Sequence, residues 1–148
     1  MRERRKALTK SSFLHKICPN AMKRWTAKVS KGEFTIHAFI QKMGQDILVS
    51  IWGGTHPHIG AVAMAVPRPS LKDQKKVSAT SSNFTFVGHK EDLLAKKISE
   101  KIASQLKTNV VVTAGVHWDK LPPNKIETVE KLTDTLTDLI LRKLEEKK

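Results

Sequence analysis

Two stretches of the chain alternate apolar and polar positions in the way that half-buried strands do. FTIHAFI (34–40) places every second residue on one apolar face, and ILVSIW (47–52) repeats the pattern. A short loop that contains Gly44 joins the two stretches. Alternating runs separated by a short Gly-containing loop predict a β-hairpin.

Three further stretches predict strands. HIGAVAMAV (58–66) is apolar on both faces, and its alternate alanines let a helix or a ligand approach closely. We expect Pro67 to end this strand, because proline cannot donate to a sheet ladder. KVSATSSNFTFVG (76–88) predicts a strand pair or a bulged edge strand. NVVVTAGVHW (109–118) is almost continuously apolar, which predicts a strand covered on both faces.

Two segments follow helical periodicity. Apolar residues recur at every fourth position from Leu94 to Leu106, and a second apolar stripe runs through the last 25 or so residues, with Asn124 as its expected cap. Several strands, a helix, a strand and a helix therefore follow one another. This order predicts an α+β fold, with one mainly antiparallel β-sheet packed against two C-terminal helices in the order β-β-β-β-α-β-α.

Positive charge is concentrated at the N-terminus. The chain has 148 residues and a formal net charge of +13; residues 1 to 31 hold ten Lys or Arg against one acid, and the remainder holds 17 against 13. We therefore expect a basic N-terminal arm over residues 1–32, partly ordered, and a single α+β domain over residues 33–148. The arm is either a solubilising tail or a segment that attracts nucleic acid or another anion.

The cellular setting follows from two absences in the sequence. Cys18 is the one cysteine, so neither an intramolecular disulfide nor a cysteine-rich zinc site can form. No apolar run reaches the roughly 18 residues that span a bilayer. We expect a soluble, cytoplasmic protein.

Candidate chemistry lies in three segments at predicted strand ends. The first, GGTHPHIG (53–60), has glycines that can expose backbone N–H groups to an anion. His56 and His58 are two residues apart, which in an extended chain puts both rings on one side, where they can share a metal ion. The alternative is a surface turn with solvated histidines.

The other two segments follow the same logic. GHKED (88–92) begins a helix, whose free N–H groups can bind a phosphate; the alternative is ordinary capping by its two acids. In GVHWDKLPPN (115–124), His117 and Trp118 follow a buried strand, where open sheets tend to place sites. The alternative there is a tryptophan at the edge of the core and a His–Asp turn contact.

Binding is favoured over catalysis. A hydrolytic enzyme usually needs a nucleophile or paired carboxylates in addition to histidines. No serine has a nucleophile-elbow motif around it, and no spacing pairs the acids near the three segments. We therefore expect no catalytic residue and no enzymatic activity.

The stretches GGTHPHIGAVAMAVPRPSL, SATSSNFTFVGHKEDLLAKKIS and NVVVTAGVHWD occur in this order and resemble the small D-type accessory proteins of gallate-type UbiD-family decarboxylases. Those proteins are described as prenylated-flavin chaperones, and the resemblance runs from about Phe34 to Asp119. It implies a non-catalytic accessory protein that binds prenylated flavin mononucleotide (prenylated FMN) and helps to deliver it to a UbiD-type decarboxylase.

A flavin nucleotide needs a phosphate site, an apolar slot for its ring and polar groups at the ring edge. The residues that we expect to supply them are Trp52, Gly53, Gly54, Thr55, His56, His58, Gly60, Ser81, Ser82, Gly88, His89, Lys90, His117 and Trp118.

Two functions from other classes remain open. One is a small metal-dependent enzyme that uses His56, His58 and His89, although no resident metal is expected if the chain is a flavin carrier. The other is a nucleic-acid-associated protein that acts through its basic arm. Because small sheet proteins with an exposed edge often associate, we also expect a homo-oligomer.

Overall fold

The computed structural model describes residues 22–146, which form one six-stranded sheet and two helices. The strands are β1 (Lys23–Lys31), β2 (Phe34–Met43), β3 (Asp46–Gly54), β4 (Ala61–Pro69), β5 (Val77–Thr85) and β6 (Val110–His117). Helix α1 spans Asp92–Leu106, and helix α2 spans Pro123–Glu145. The predicted α+β class is confirmed, and one additional strand, β1, precedes the predicted elements.

The sheet has the spatial order β1-β2-β3-β6-β4-β5. Neighbouring strands are antiparallel except for β3 and β6, which run parallel in the middle of the sheet. Strand β6 thus lies between two antiparallel units, a meander of β1 to β3 and a hairpin of β4 and β5. The parallel pair places the C-terminal ends of β3 and β6 at the same edge of the sheet.

Strand β1 lies inside the segment that the sequence analysis assigned to the basic arm. Trp25, Ala27 and Val29 alternate with polar residues, and Trp25 lies opposite Ile40 in the register. Their alternation was hidden by the surrounding lysines and arginine, whose side chains point to solvent. The first 21 residues of the predicted arm, with Cys18, lie outside the described part of the chain.

Both helices pack on the same face of the sheet. Helix α1 covers β4, β5 and β6, and α2 covers β1 and β2. The core between the helices and the sheet is aliphatic, and the largest side chains fully buried in it include Ile36, Ile40, Ile51, Ile98, Ile102, Leu136 and Ile140. The alternating faces predicted for β2 and β3 and the apolar stripe predicted for α1 are confirmed.

The opposite face of the sheet, which we call the open face, carries no helix in residues 22–146. It presents several exposed apolar side chains, among them Met64, Val66 and Phe84. Val111 and Thr113 of β6 also lie on this face and are only half-buried. The prediction that β6 is covered on both faces is therefore wrong for residues 22–146, because both helices pack on one side.

Two predicted boundaries are wrong. Strand β4 continues through Pro67 to Pro69, because beyond Ala65 it pairs with β5 alone, and an edge tolerates residues that lack an N–H. Helix α2 begins at Pro123, after Pro122, and has no side-chain cap, so Asn124 does not cap it. Proline suits the first helical turn because its φ is already helical. No helix in residues 22–146 is long and apolar enough to cross a membrane.

Candidate functional site

Three connections meet at the sheet edge where β3 and β6 end. They are residues 55–60 between β3 and β4, residues 86–91 between β5 and α1, and the residues that follow β6. Strand β4 begins and β5 ends at this edge, since Ala61 pairs with both Ala114 and Thr85. The topology therefore brings together the three segments that the sequence singled out.

The side chains that meet there form what we call the histidine cluster, consisting of His56, His58, His89, His117, Glu91 and Asp119. The ring of His58 lies centrally, with centroid distances of 4.7 Å to His89 and 6.2 Å to His117. Four of the six histidines of the chain thus lie within one small region. The structure therefore brings together histidines from all three candidate segments.

Glu91 joins His58 and His89 from the start of α1. Its Oε1 lies 3.1 Å from His58 Nε2, and its Oε2 lies 3.6 Å from His89 Nδ1. The carboxylate is 10 % exposed, and Oε2 also accepts a hydrogen bond from the Lys90 backbone N–H. His58 Nδ1 lies 2.9 Å from the carbonyl oxygen of His56. Both ends of the His58 ring are therefore held by fixed partners.

Asp119 organises the more exposed half of the cluster. Its Oδ2 lies 3.0 Å from His56 Nε2 and accepts a hydrogen bond from the Thr55 hydroxyl, and its Oδ1 lies 3.2 Å from His117 Nε2. The hydrogen bond from Thr55, followed by those with the histidines and the charge of His56, holds the pKa of the Asp119 carboxyl below its ordinary value. This carboxylate therefore stays ionised at neutral pH.

The cluster depends on close approaches that only glycine permits. A Cβ at Gly60 would lie 2.4 Å from Glu91 Oε2, and one at Gly115 would lie 2.0 Å from the His58 carbonyl oxygen. Gly54 has a φ of +98°, and a Cβ there would lie 1.6 Å from the His117 carbonyl oxygen. The glycines serve mainly to seat the loops against β6.

Two backbone N–H groups of the first loop already donate hydrogen bonds to β6. Thr55 donates its N–H to the His117 carbonyl, and Gly60 donates its N–H to the Ala114 carbonyl. An anion at this edge would therefore meet the imidazole rings before it met these two N–H groups.

Trp52 borders the cluster on the open face, whereas Trp118 packs against the core on the helix-covered side. Trp52 stacks on His37 with ring centroids 5.5 Å apart, while Trp118 packs edge-on against Phe34 at 5.2 Å. A depression of about 360 Å³ adjoins the cluster and is lined by Ser50, Ile51, Trp52, Pro57, His58, Ile59 and Thr113. A smaller one of about 150 Å³ is lined by both tryptophans together with Gly53 and Gly54.

Several predicted site residues lie elsewhere. Ser81 donates a hydrogen bond to Glu100 of α1, and Ser82 lies on the open face in the middle of β5. The Gly88 Cα has open space around it, and Lys90 contributes its backbone N–H to Glu91. The structure does not bring the two serines into the cluster.

The sequence analysis missed Glu91, Asp119 and Gly115 as site residues. It gave ordinary helix capping as the alternative role of Glu91 and a turn contact with His117 as the alternative role of Asp119, and the structure does contain the turn contact. In residues 22–146, the group of three potential metal ligands is His58, His89 and Glu91, so Glu91 stands in place of the predicted His56. In the sequence, both acids stand two residues after a histidine, and this spacing was the signal that could have identified them.

Similarity to known proteins extends over most of the chain. A family model described as the prenylated flavin chaperone LpdD-like domain matches residues 30–145. The chain is 25% identical over 116 residues to Protein LpdD of Lactiplantibacillus plantarum, and the aligned region covers 78% of this chain and 82% of that protein. Among solved structures, a chaperone complex for yeast 20S proteasome assembly gives a TM-score of 0.48 at 9% identity, covering 78% of this chain and 99% of the other.

Proposed function

Because the chain belongs to the family of prenylated flavin chaperone LpdD-like domains, we propose that it binds prenylated FMN and helps to deliver it to a UbiD-type decarboxylase. The observation that carries the proposal is the convergence of three loops into the histidine cluster, beside an apolar depression on the open face. On this proposal the protein is a non-catalytic accessory protein.

The flavin ring would occupy the depression lined by Trp52, Pro57, His58 and Ile59. Ligand sites of this kind combine apolar walls with a few polar groups that fix orientation. Trp52 supplies a flat apolar wall that is held by its stacking on His37, and the Thr113 hydroxyl and the His58 ring lie at the border. These groups match the mixed apolar and polar character of a flavin.

The phosphate would lie towards the exposed half of the cluster. His56 and His117 both offer ring N–H groups there, and both are more than half exposed. An anion that approached them would compete with the Asp119 carboxylate for the same donors. This arrangement suits a carrier, because a phosphate held by exposed imidazoles can be released to a partner without the breaking of a buried site.

A retention and transfer assay tests the proposal. The protein is mixed anaerobically with prenylated FMN, passed over a desalting column, and the absorbance that coelutes with it is measured. We expect about one flavin per chain, reduced strongly in Trp52→Ala and unchanged in Trp25→Phe, whose ring lies on the opposite, helix-covered side of the sheet.

Delivery is then measured by adding an apo UbiD-type decarboxylase and following its activity. We expect faster activation with the loaded protein than with the same amount of free cofactor. Retention no better than that of an unrelated basic protein, or equal retention by Trp52→Ala and wild type, would exclude the proposed binding surface.

Homo-oligomerisation is part of the same proposal. The exposed Met64, Val66 and Phe84 side chains form an apolar surface that a second copy would cover. Light scattering of the purified chain gives the mass directly. A monomer at micromolar concentration would contradict this part and leave flavin retention to be judged separately.

A further inference from the structure

We propose that His58, His89 and Glu91 form a binding site for a divalent transition-metal ion of the Zn²⁺, Mn²⁺ or Fe²⁺ class. One ligand atom from each residue lies within 4.8 Å of the others. Three elements contribute, since His58 precedes β4, His89 lies in the connection after β5, and Glu91 stands at the start of α1. The inference does not depend on flavin binding.

The spacing between the ligand atoms suits a common ion. Nitrogen and oxygen ligands lie about 2.0–2.2 Å from such metals, so two neighbouring ligands are about 2.8–3.6 Å apart at octahedral or tetrahedral angles. His58 Nε2 and Glu91 Oε1 are 3.1 Å apart, and His89 Nδ1 and Glu91 Oε2 are 3.6 Å apart. All three donors lie within 4.8 Å of one another, so a side-chain movement of at most about 1.2 Å brings them around one ion.

The hydrogen bond at the other end of the His58 ring gives a second, independent indication. The His56 carbonyl can only accept, so His58 Nδ1 must carry the hydrogen of the 2.9 Å bond between them. In a neutral ring, the lone pair of Nε2 is then directed at the Glu91 carboxylate. Two lone pairs at 3.1 Å repel each other unless a cation lies between them.

That cation is either a proton or a metal ion. A metal-binding histidine usually donates its remaining ring N–H to a carbonyl or a carboxylate, which fixes the tautomer. His58 already has this arrangement. Glu91 is almost fully buried, and its ion pairs in the described residues are both with histidines. A buried carboxylate beside two imidazoles is a site in which a divalent ion compensates the negative charge.

The donor set also selects the class of ion. Imidazole nitrogens suit Zn²⁺, Fe²⁺ and related metals, whereas Mg²⁺ and Ca²⁺ prefer oxygen ligands throughout. Three protein ligands leave at least one coordination position open for water or an anionic ligand. Mg²⁺ is therefore the matched negative control.

The test uses the full chain without a polyhistidine tag, stripped by a chelator. Cys18→Ser serves as the background in every sample, because a thiolate is itself a zinc ligand. ZnCl₂ is titrated by calorimetry, and MnCl₂ binding is followed by electron paramagnetic resonance. We expect one equivalent of Zn²⁺ per chain and no comparable binding of MgCl₂.

Three variants locate the site. Glu91→Gln keeps the shape of the side chain, and His89→Asn removes a ring; each should weaken Zn²⁺ binding by at least the ~10–100-fold that loss of a supporting partner causes. His37→Asn, which removes the histidine stacked on Trp52, should leave the affinity unchanged. Circular dichroism of each variant checks that it is folded.

The ring resonances of the Cys18→Ser background provide a measurement that needs no further variant. Zn²⁺ should shift the imidazole signals of His58 and His89 at one equivalent and leave that of His37 in place. The absence of a saturable equivalent, equal affinity in Glu91→Gln and wild type, or comparable Mg²⁺ binding would each overturn the site. None of these results bears on flavin retention.

Discussion

The contact between Gly115 and the loop above it makes a sharp prediction. Substitution by alanine adds one methyl group on β6, and this Cβ would lie 2.0 Å from the His58 carbonyl oxygen and 2.6 Å from its carbon. Real Cβ atoms do not approach backbone atoms so closely. The loop that carries His58 must therefore move away from β6, or β6 must shift within the sheet.

The expected cost follows from overpacking. Inserting one methyl into a well-packed site typically costs about 1–3 kcal/mol. For a chain of this length, each kcal/mol lowers the melting temperature by roughly 3 °C, so we expect Gly115→Ala to melt about 3–9 °C below wild type. Urea unfolding followed by circular dichroism should show a lower midpoint with an unchanged m value.

A matched control separates the steric clash from backbone preference. Gly44→Ala lies in the β2–β3 turn with a φ of +62° and open space around its Cα, so it tests the conformational cost alone, about 1 kcal/mol. Only Gly115→Ala should also shift the His58 ring resonances. If Gly115→Ala proves as stable as wild type with unshifted His58 signals, the claim that this glycine seats the loop is refuted.

Two further predictions concern charge and packing. Because folding lowers the pKa of Asp119, its carboxylate contributes stability above its ordinary pKa of 3.8, and this stability is lost as pH falls through the folded pKa. Thr55→Val should raise the folded pKa in an NMR titration of the carboxyl carbon, and an unchanged pKa would contradict the assigned cause. Leu136→Ala leaves a cavity at a fully buried position and should lower the free energy of unfolding, measured with urea, by about 2–5 kcal/mol. Leu93→Ala, at a position 73 % exposed, should lower it by under about 0.5 kcal/mol. Equal losses in the two variants would contradict the assigned core.

Most of the fold was predictable from periodicity. Periodicity predicted β2, β3 and α1 because each of these elements buries one face against the same core. Strand β1 escaped prediction because its three core-facing positions, of which only Ala27 is fully buried, lie among charged side chains. The parallel pairing of β3 with β6 depends on contacts that local patterns do not encode.

The location of the candidate site was more predictable from the sequence than the set of residues that form it. Histidines at strand ends indicated the edge of the sheet at which the histidine cluster lies. Glu91 was missed because its place at a helix start already gave it an adequate local explanation, and its burial depends on the absence of a side chain at Gly60. Ser81 was assigned on sequence position alone, and its contact with Glu100 is a packing outcome.

The place of β6 between β3 and β4 has a consequence for the order of folding. The meander β1–β3 and the unit β4–β5–α1 each consist of sequence-local contacts, whereas β6 joins residue 110 to residue 47. Until β6 inserts, β3 and β4 each present an unpaired strand edge, which is a surface prone to intermolecular pairing. We expect aggregation during refolding to fall when insertion of β6 is accelerated. The strand that completes the sheet therefore also determines how much of the chain aggregates before it is folded.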